Sequence, residues 1–448
     1  MRPVILVGFV GAALPTLPDI QPDRSVIFVE EPDVVRKRDV RAKVAGCPTV
    51  RDLVEWEFHL PGKADEFYHA HRDLDPAAVI PLTEYATPFA ARLSERYGLP
   101  GAGFAAASLL RDKALLRNVS RAAGVTNPRS VRVEGPHEVL AFMRSVGGPI
   151  VLKPANRQAS VGAWLIHDPA EVPEAWGACV VQDEGVFVPD RPMELRMLAE
   201  ECVVGEQFSV EMLVRGGEDL FVNVTRARLV PGPIPAEASH VVPADTTPQL
   251  MVLLGEQTRR IVDAVGFRDG IVHCEWIVSD GVPNLVECAG RFAGDGIIEL
   301  IERAYPVDLV RAYYAVMKGE PIPGPLPAVA QRGAAVRFLS IGAGVVRDVR
   351  GVEEAGRAEG VFLCDVTVKA GERFGGLRSS WDRVGDVMVT GDTPADALRL
   401  ADAAAAMIEI DVRPLAEPVA EPVAKPVAEP VAEPVAELFA PELETVAP

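Results

Sequence analysis

The densest chemistry in the chain lies in one stretch, Val272-His-Cys-Glu-Trp-Ile-Val-Ser-Asp-Gly-Val-Pro-Asn-Leu-Val-Glu-Cys-Ala-Gly-Arg291. Two apolar-rich runs flank Ser279-Asp280-Gly281, a strong hairpin signal. A loop centred near Gly281 sets Glu275 opposite Glu287. Facing residues of such a pair sit about 4.5–5.5 Å apart at Cβ and share a face. Two carboxylates that close, flanked by Val272, Trp276, Leu285 and Val286, repel each other unless a positive charge sits between them. Hard Mg²⁺, bound by carboxylates and completed by phosphate oxygens, supplies it. Arg291 follows at the strand end, where it can neutralise a developing oxyanion.

Three further features strengthen a phosphate reading. Arg111-Asp112-Lys113 lies in a helical pattern. Val151-Leu-Lys-Pro-Ala-Asn-Arg-Gln-Ala-Ser-Val-Gly162 reads as a strand ending in Lys153, then a loop of small residues whose N–H groups can approach phosphate oxygens. Glu200-Glu-Cys-Val-Val-Gly-Glu-Gln-Phe-Ser-Val-Glu211 alternates acidic and apolar residues about a glycine. Taken singly, these features have plain structural explanations: a solvated lysine at a strand end, and an amphipathic hairpin for the Glu-rich stretch.

The elements that must position these residues follow from periodicity. Val4–Val10, Ser25–Val29 and the neighbourhood of Val79-Ile80 read as buried strands, and Thr87–Tyr97 as a helix, which predicts an open α/β domain over residues 1–105. No GxGxxG is present there, so dinucleotide binding is not expected. A helix is predicted over 108–124, from Ser108 as N-cap to Gly124 as stop. Strands are predicted at Ile150–Lys153, Ala163–Ile166 and Cys179–Gln182, with a β-rich stretch from Met197 to Val230. A helix follows at Gln249–Val265, strands near Ile271–Val278 and Asn284–Cys288, and a final helix from about Val307 to Lys318. The proline-rich piece 320–327 reads as a linker. Residues 333–412 read as a mostly β unit closed by the alanine-rich helix Pro394–Ile408. Beyond lies a tail repeating Ala-Glu-Pro-Val, read from 413 as disordered and polyproline-like.

Composition bounds the partners. A net charge of −19 argues against nucleic acid and against an anionic membrane surface. No segment reaches the roughly 18 apolar residues of a membrane span. The six cysteines, Cys47, Cys179, Cys202, Cys274, Cys288 and Cys364, form no CxxC and read as reduced thiols of a cytoplasmic protein.

As a set, helix-borne Lys113, strand-end Lys153-Pro154, the Ser160-Val-Gly162 loop, the Glu-rich hinge and Glu275–hairpin–Glu287-x-x-x-Arg291 resemble the ATP-grasp superfamily. Within it, the chain is similar to the carboxylate–amine ligases that include bacterial L-amino acid (dipeptide) ligases. The likeness covers the chain to about residue 412. It implies a fold of class α/β and α+β: an N-terminal open α/β domain (1–105), a small lobe (106–185) and a large lobe with the metal site (186–325) clamping the nucleotide, and a β-rich C-terminal domain (326–412), with the repeat tail (413–448) outside.

By that resemblance Lys113 and Lys153 contact the phosphates of ATP, and Ser160 and Gly162 lie in the loop that closes over them. Glu200, Glu201 and the backbone at Val203 hold the adenine, and Gln207 takes the ribose position where glutamate is usual. Glu275 and Glu287 hold Mg²⁺, with Mn²⁺ as an alternative; Ala289 replaces a common asparagine, which leaves the metal count open. Arg291 serves as the catalytic cation, and His240, Arg291, Gly294 and Asp295 face the substrate. Ser379-Ser-Trp-Asp-Arg-Val-Gly385 matches a characteristic C-terminal turn. The implied reaction joins a small carboxylic acid to an amine, an amino acid or short peptide, through an acyl phosphate; related enzymes are often homodimers. A carboxylase-type reaction and a non-catalytic nucleotide-binding scaffold are the alternatives.

Overall fold

The structure is a computed structural model and describes residues 2–181 and 184–414 of the chain. At the N-terminus β1 (Val4–Val7), β2 (Val26–Glu30), β3 (Val50–Glu55) and β4 (Ala78–Pro81) form a parallel sheet in the order β3-β2-β1-β4. β1 and β4 are buried throughout, as their unbroken apolar runs require. β3 was not legible as a strand, because half of its positions carry charge. The helix Thr87–Tyr97 stands where its pattern puts it.

The helix expected over 108–124 is two helices, Phe104–Leu110 and Lys113–Ala122. Asp112 separates them: its carboxylate accepts from the N–H groups of Ala114 and Leu115 and so caps the second helix. Lys113 thereby becomes a first-turn residue. A second sheet holds β5 (Ser130–Val133), β6 (Ile150–Pro154), β7 (Trp164–Ile166) and β8 (Met197–Glu201) in the antiparallel order β5-β8-β6-β7. It is backed by the helix Pro136–Val146, which the sequence reading missed, and by Val172–Val180. The latter overturns the strand expected at Cys179. Its apolar run is the end of a helix that buries Val172, Ala175 and Cys179 at helical spacing. Gln182 lies outside the described residues.

The large sheet has eight antiparallel strands in the order β13-β12-β9-β10-β11-β14-β18-β16. Its members are β9 (Glu206–Arg215), β10 (Glu218–Leu229), β11 (Glu237–Val242), β12 (Gly270–Ser279), β13 (Val282–Ala289), β14 (Gly333–Leu339), β16 (Val361–Val366) and β18 (Gly385–Gly391). The helix Pro248–Val265 packs on one face. Ile297–Ala304 and Leu309–Lys318 pack on the other and reach the N-terminal sheet. The last region is thus continuous with this sheet through β14, β18 and β16. A small sheet, β17-β15-β19, joins β15 (Gly344–Arg350), β17 (Arg373–Phe374) and β19 (Glu409–Pro414). Arg413 and Pro414, read as the start of the tail, pair in β19 with Val345 and Gly344. Residues 415–448 lie outside the described residues.

Candidate active site

The β12–β13 hairpin puts Glu275 across from Glu287, by a route other than a simple loop centred on Gly281. Asp280 and Gly281, at φ +50° and +78°, make a two-residue turn that pairs Ser279 with Val282. Continued unchanged, that register would bring Glu275 opposite Val286. A bulge between Glu275 and Trp276 leaves Val286 over, and Glu287 moves into line. The surplus carbonyl of Val286 accepts a hydrogen bond from Arg117 at 2.7 Å.

Each of the two carboxylates already has a cationic partner from the protein. Lys113 Nζ lies 2.6 Å from Glu287 Oε2. His273, two residues before Glu275 on the same strand face, bridges Glu211 at 2.9 Å and Glu275 at 3.3 Å. Burial opposes a charge on His273, but Glu211 and Glu275 outweigh it and raise its pKa to about 10. The positive charge that the sequence assigned to a metal alone is therefore shared with Lys113 and His273.

A second buried cluster joins the β5-β8-β6-β7 sheet to the helix Lys113–Ala122. Glu200 on β8 receives Arg117 at 2.7 Å and Lys153 at 2.6 Å. Against burial, these two cations bring its pKa down to about 2. Glu201 points the other way and pairs with Arg129 at 2.9 Å near the surface.

The third cluster was not read from the sequence. Glu84, just beyond the carboxyl end of β4, is buried between Arg111 and Arg291, which reaches it at 2.9 Å. Burial would raise the Glu84 pKa, yet Arg111 and Arg291 bring it to about 2. Its position was a usable signal, since ligands of open parallel sheets gather at the strands' carboxyl ends.

The fourth involves the C-terminal turn. Asp295 accepts from Arg383 Nη1 at 2.9 Å and from Arg383 Nη2, and lies 3.1 Å from His240 Nε2. The Arg383 guanidinium stacks on Phe338, and the His240 ring meets the same ring edge-on. Burial opposes the Asp295 charge, but His240 and Arg383 hold its carboxyl well below the usual range. His240 Nδ1 is buried with no hydrogen-bond partner among the described residues. Ser379 and Asp382 form a capping box, and Ser380 donates its N–H to the Ala159 carbonyl and its hydroxyl to Glu237. The turn thus holds the loop after β6, where Ala159 and Ser160 adopt φ +54° and +56° and Ser160 donates to the Pro235 carbonyl.

All four clusters border one cavity of about 1040 Å³. Of the residues singled out in the sequence, Lys113, Lys153, Ser160, Glu200, Glu201, Val203, Gln207, His240, Glu275, Glu287, Arg291, Gly294 and Asp295 line it. Gly162 does not; it turns the chain at φ +70°, where a Cβ would sit 2.8 Å from the Cys179 carbonyl oxygen.

Two family descriptions match the chain: the ATP-grasp domain over residues 146–299 and the L-amino acid ligase C-terminal domain 2 over residues 337–413. The alanine–anticapsin ligase of Bacillus subtilis (strain 168) is 26% identical over 241 residues, covering 51% of each chain. The L-arginine-specific L-amino acid ligase of Bacillus subtilis is 23% identical over 234 residues, covering 52% of this chain and 55% of the relative. The chain thus spans about half the length of these curated relatives. The crystal structure of L-amino acid ligase from Bacillus licheniformis superposes with a TM-score of 0.72 at 17% identity, covering 92% of this chain and 99% of that one. By these matches the chain carries an ATP-grasp domain over residues 146–299 and a region matching the L-amino acid ligase C-terminal domain 2 over residues 337–413, in a fold shared with a solved L-amino acid ligase.

Proposed function

We propose that the protein is an ATP- and Mg²⁺-dependent ligase that joins a small carboxylic acid to an amine, an amino acid or short peptide, through an acyl phosphate. The observation that carries this reading is the convergence of facing Glu275 and Glu287 with Lys113 and Arg291 on one cavity. The residues fit a divalent cation. The two carboxylates are hard oxygen donors, and among the described residues no third His, Cys, Asp or Glu completes a metal cluster, which leaves further positions for phosphate oxygens and water. When bound, Mg²⁺ neutralises charge on the phosphates being transferred.

In this reading Lys113 and Lys153 balance phosphate charge, while Glu201, Val203 and Gln207, beside the hinge between β8 and β9, border the nucleoside. A carboxylate oxygen of the acid attacks the γ-phosphorus and ADP leaves. The amine then attacks the acyl carbon, phosphate leaves with the C–O bond electrons, the nitrogen gives up a proton to the departing phosphate, and an amide remains. Arg291, fixed by Glu84, stands where the tetrahedral oxyanion forms, so the protein's part is positioning and charge neutralisation. Ala159 and Ser160 hold sparsely populated backbone conformations, which supports a loop that rearranges over the phosphates and excludes water.

The reading takes small molecules as substrates, the cytoplasm as the setting and a homodimer as the assembly. The cysteines are free, the net charge of −19 disfavours nucleic acid, and among the described residues no helix is long and apolar enough to cross a membrane. The test is phosphate release from ATP and Mg²⁺ with pooled carboxylic and amino acids, followed by mass spectrometry. Release that requires both pools and yields a new amide mass is expected. Turnover with bicarbonate alone, or nucleotide binding with no turnover in any pool, would replace this reading with a carboxylase or a scaffold.

A further inference from the structure

Arg111 and Lys113 flank the Asp112 cap, and together they hold three successive carbonyls of the loop after β6. The Lys113 N–H donates to the Ala155 carbonyl at 2.9 Å, Arg111 Nη2 to that of Asn156 at 2.9 Å, and Lys113 Nζ to that of Arg157 at 2.8 Å. These bonds fix the root of the loop whose tip carries Ala159 and Ser160 at positive φ. The loop's own closing bonds lie further on. The Val161 N–H donates to the Gln158 carbonyl at 3.1 Å, and the Ala163 N–H to the Ser160 carbonyl at 3.0 Å.

The guanidinium that holds Asn156 also reaches the N-terminal domain. Arg111 Nη1 donates to Glu84 Oε1 at 2.5 Å, and Arg291 Nη2 donates to Glu84 Oε2 at 2.9 Å. Each oxygen of one carboxylate thus serves one arginine. Arg111 also lies over the Tyr85 ring, 4.6 Å from its centroid, which fixes the guanidinium further. A line of hydrogen bonds therefore runs from the Asn156 carbonyl through Arg111 and Glu84 to Arg291. Glu84 and Arg291 line the cavity; Arg111 is not among the residues lining it. Whatever Arg111 does for the site, it does through those neighbours and the loop. Its two arms serve acceptors in different segments, which the single ammonium of a lysine does not reproduce.

We propose that Arg111 is a positioning residue that couples the loop after β6 to Arg291, so that the setting of the loop over the nucleotide fixes the cation facing the acid. The inference rests on the ligase reading, which gives the loop and Arg291 their roles.

Such a coupling is established by a demonstrated energetic link, and a double-mutant cycle supplies it. Hydrogen exchange of the full chain without ligand reads the loop through the peptide that carries the Val161 and Ala163 amides. Among the described residues the Glu84 side chain has no hydrogen bond to the loop. Exchange there should nonetheless quicken about fivefold in Glu84→Gln, the step from a charge-assisted to a neutral hydrogen bond. Arg111→Met should quicken it at least as much. In the double variant Glu84→Gln should add nothing, since its effect runs through Arg111. Arg111→Lys separates positioning from charge balance and serves as the second variant should Arg111→Met fail to fold. It should keep the melting temperature of the parent chain but not its slow loop exchange. In the phosphate-release assay its KM for ATP should rise while kcat falls. Unchanged exchange in Glu84→Gln, additive effects in the double variant, or full rescue of exchange and kcat by Arg111→Lys would overturn the proposal. Exchange needs no turnover, which keeps the two readings apart. A coupled loop in a protein that forms no amide upholds the link and removes the ligase. Amide formation with an uncoupled loop removes the link and leaves the ligase.

Discussion

Glu275 faces Glu287 across the β12–β13 hairpin, and Lys113 Nζ lies 2.6 Å from Glu287 Oε2. Replacing Glu287 with Gln keeps the shape but removes the partner of Lys113 and, in the proposed reading, half of the carboxylate charge offered to Mg²⁺. Turnover should fall at least about 100-fold, the upper range for losses even of outer-shell partners of a metal. Titration of the variant with Mg²⁺ should show weaker binding, and circular dichroism an unchanged fold. Activity within twofold of the parent chain would remove Glu287 from the metal site.

Glu84 holds Arg291 and Arg111, and its folded pKa of about 2 lies below the usual 4.5. A depressed carboxyl contributes stability that is full above about 4.5 and is lost as pH falls through about 2. The contribution is on the order of 3 kcal/mol for this fully buried group. Thermal melts of the parent chain should drop steeply over that window, and those of Glu84→Gln less so. The same variant frees Arg291, so kcat should fall more than ATP affinity changes.

Glu200 sits between Arg117 and Lys153 with almost no exposure. Arg117→Met leaves a buried carboxylate with one cation and also frees the bulged carbonyl of Val286. Removing one partner of a buried pair costs roughly 3–5 kcal/mol, and Lys153 keeps the loss near the lower end. Urea unfolding should show the midpoint moving down at unchanged slope. A shift under about 0.5 kcal/mol would mean that solvent reaches this cluster.

Gly162 occupies φ +70° with no room for a Cβ beside the Cys179 carbonyl. Gly162→Ala should destabilise by about 1–3 kcal/mol. Because the residue ends the Ser160 loop, ATP affinity should fall as well. An unchanged melting temperature with weaker ATP binding would separate the loop's role in binding from its role in packing.

The sequence alone determined what depends on local rules. Parallel strands with both faces buried announced themselves as apolar runs at β1, β2 and β4, and Asp280-Gly281 announced a hairpin. The lysine, loop, glutamate and arginine set had an order that resembles ATP-grasp proteins, and the ATP-grasp domain matches over residues 146–299. Tertiary structure decided what depends on contacts between distant segments. The helix at 108–124 broke because Asp112 found the N–H groups of Ala114 and Leu115 and a partner in Arg196. The run that starts at Cys179 begins inside a helix because that helix packs its apolar face on the β5-β8-β6-β7 sheet, a choice that a short apolar stretch leaves open. Glu84 gained its place only when β4 and the strand end at Arg291 met, 207 residues apart in sequence. The register of Glu275 and Glu287 is the clearest case: the turn by itself would misalign them by one residue. The bulge that corrects this leaves the Val286 carbonyl surplus, and Arg117, on the helix Lys113–Ala122, donates to it. A buried carbonyl must find a donor, and a strand's own sequence does not say where that donor comes from.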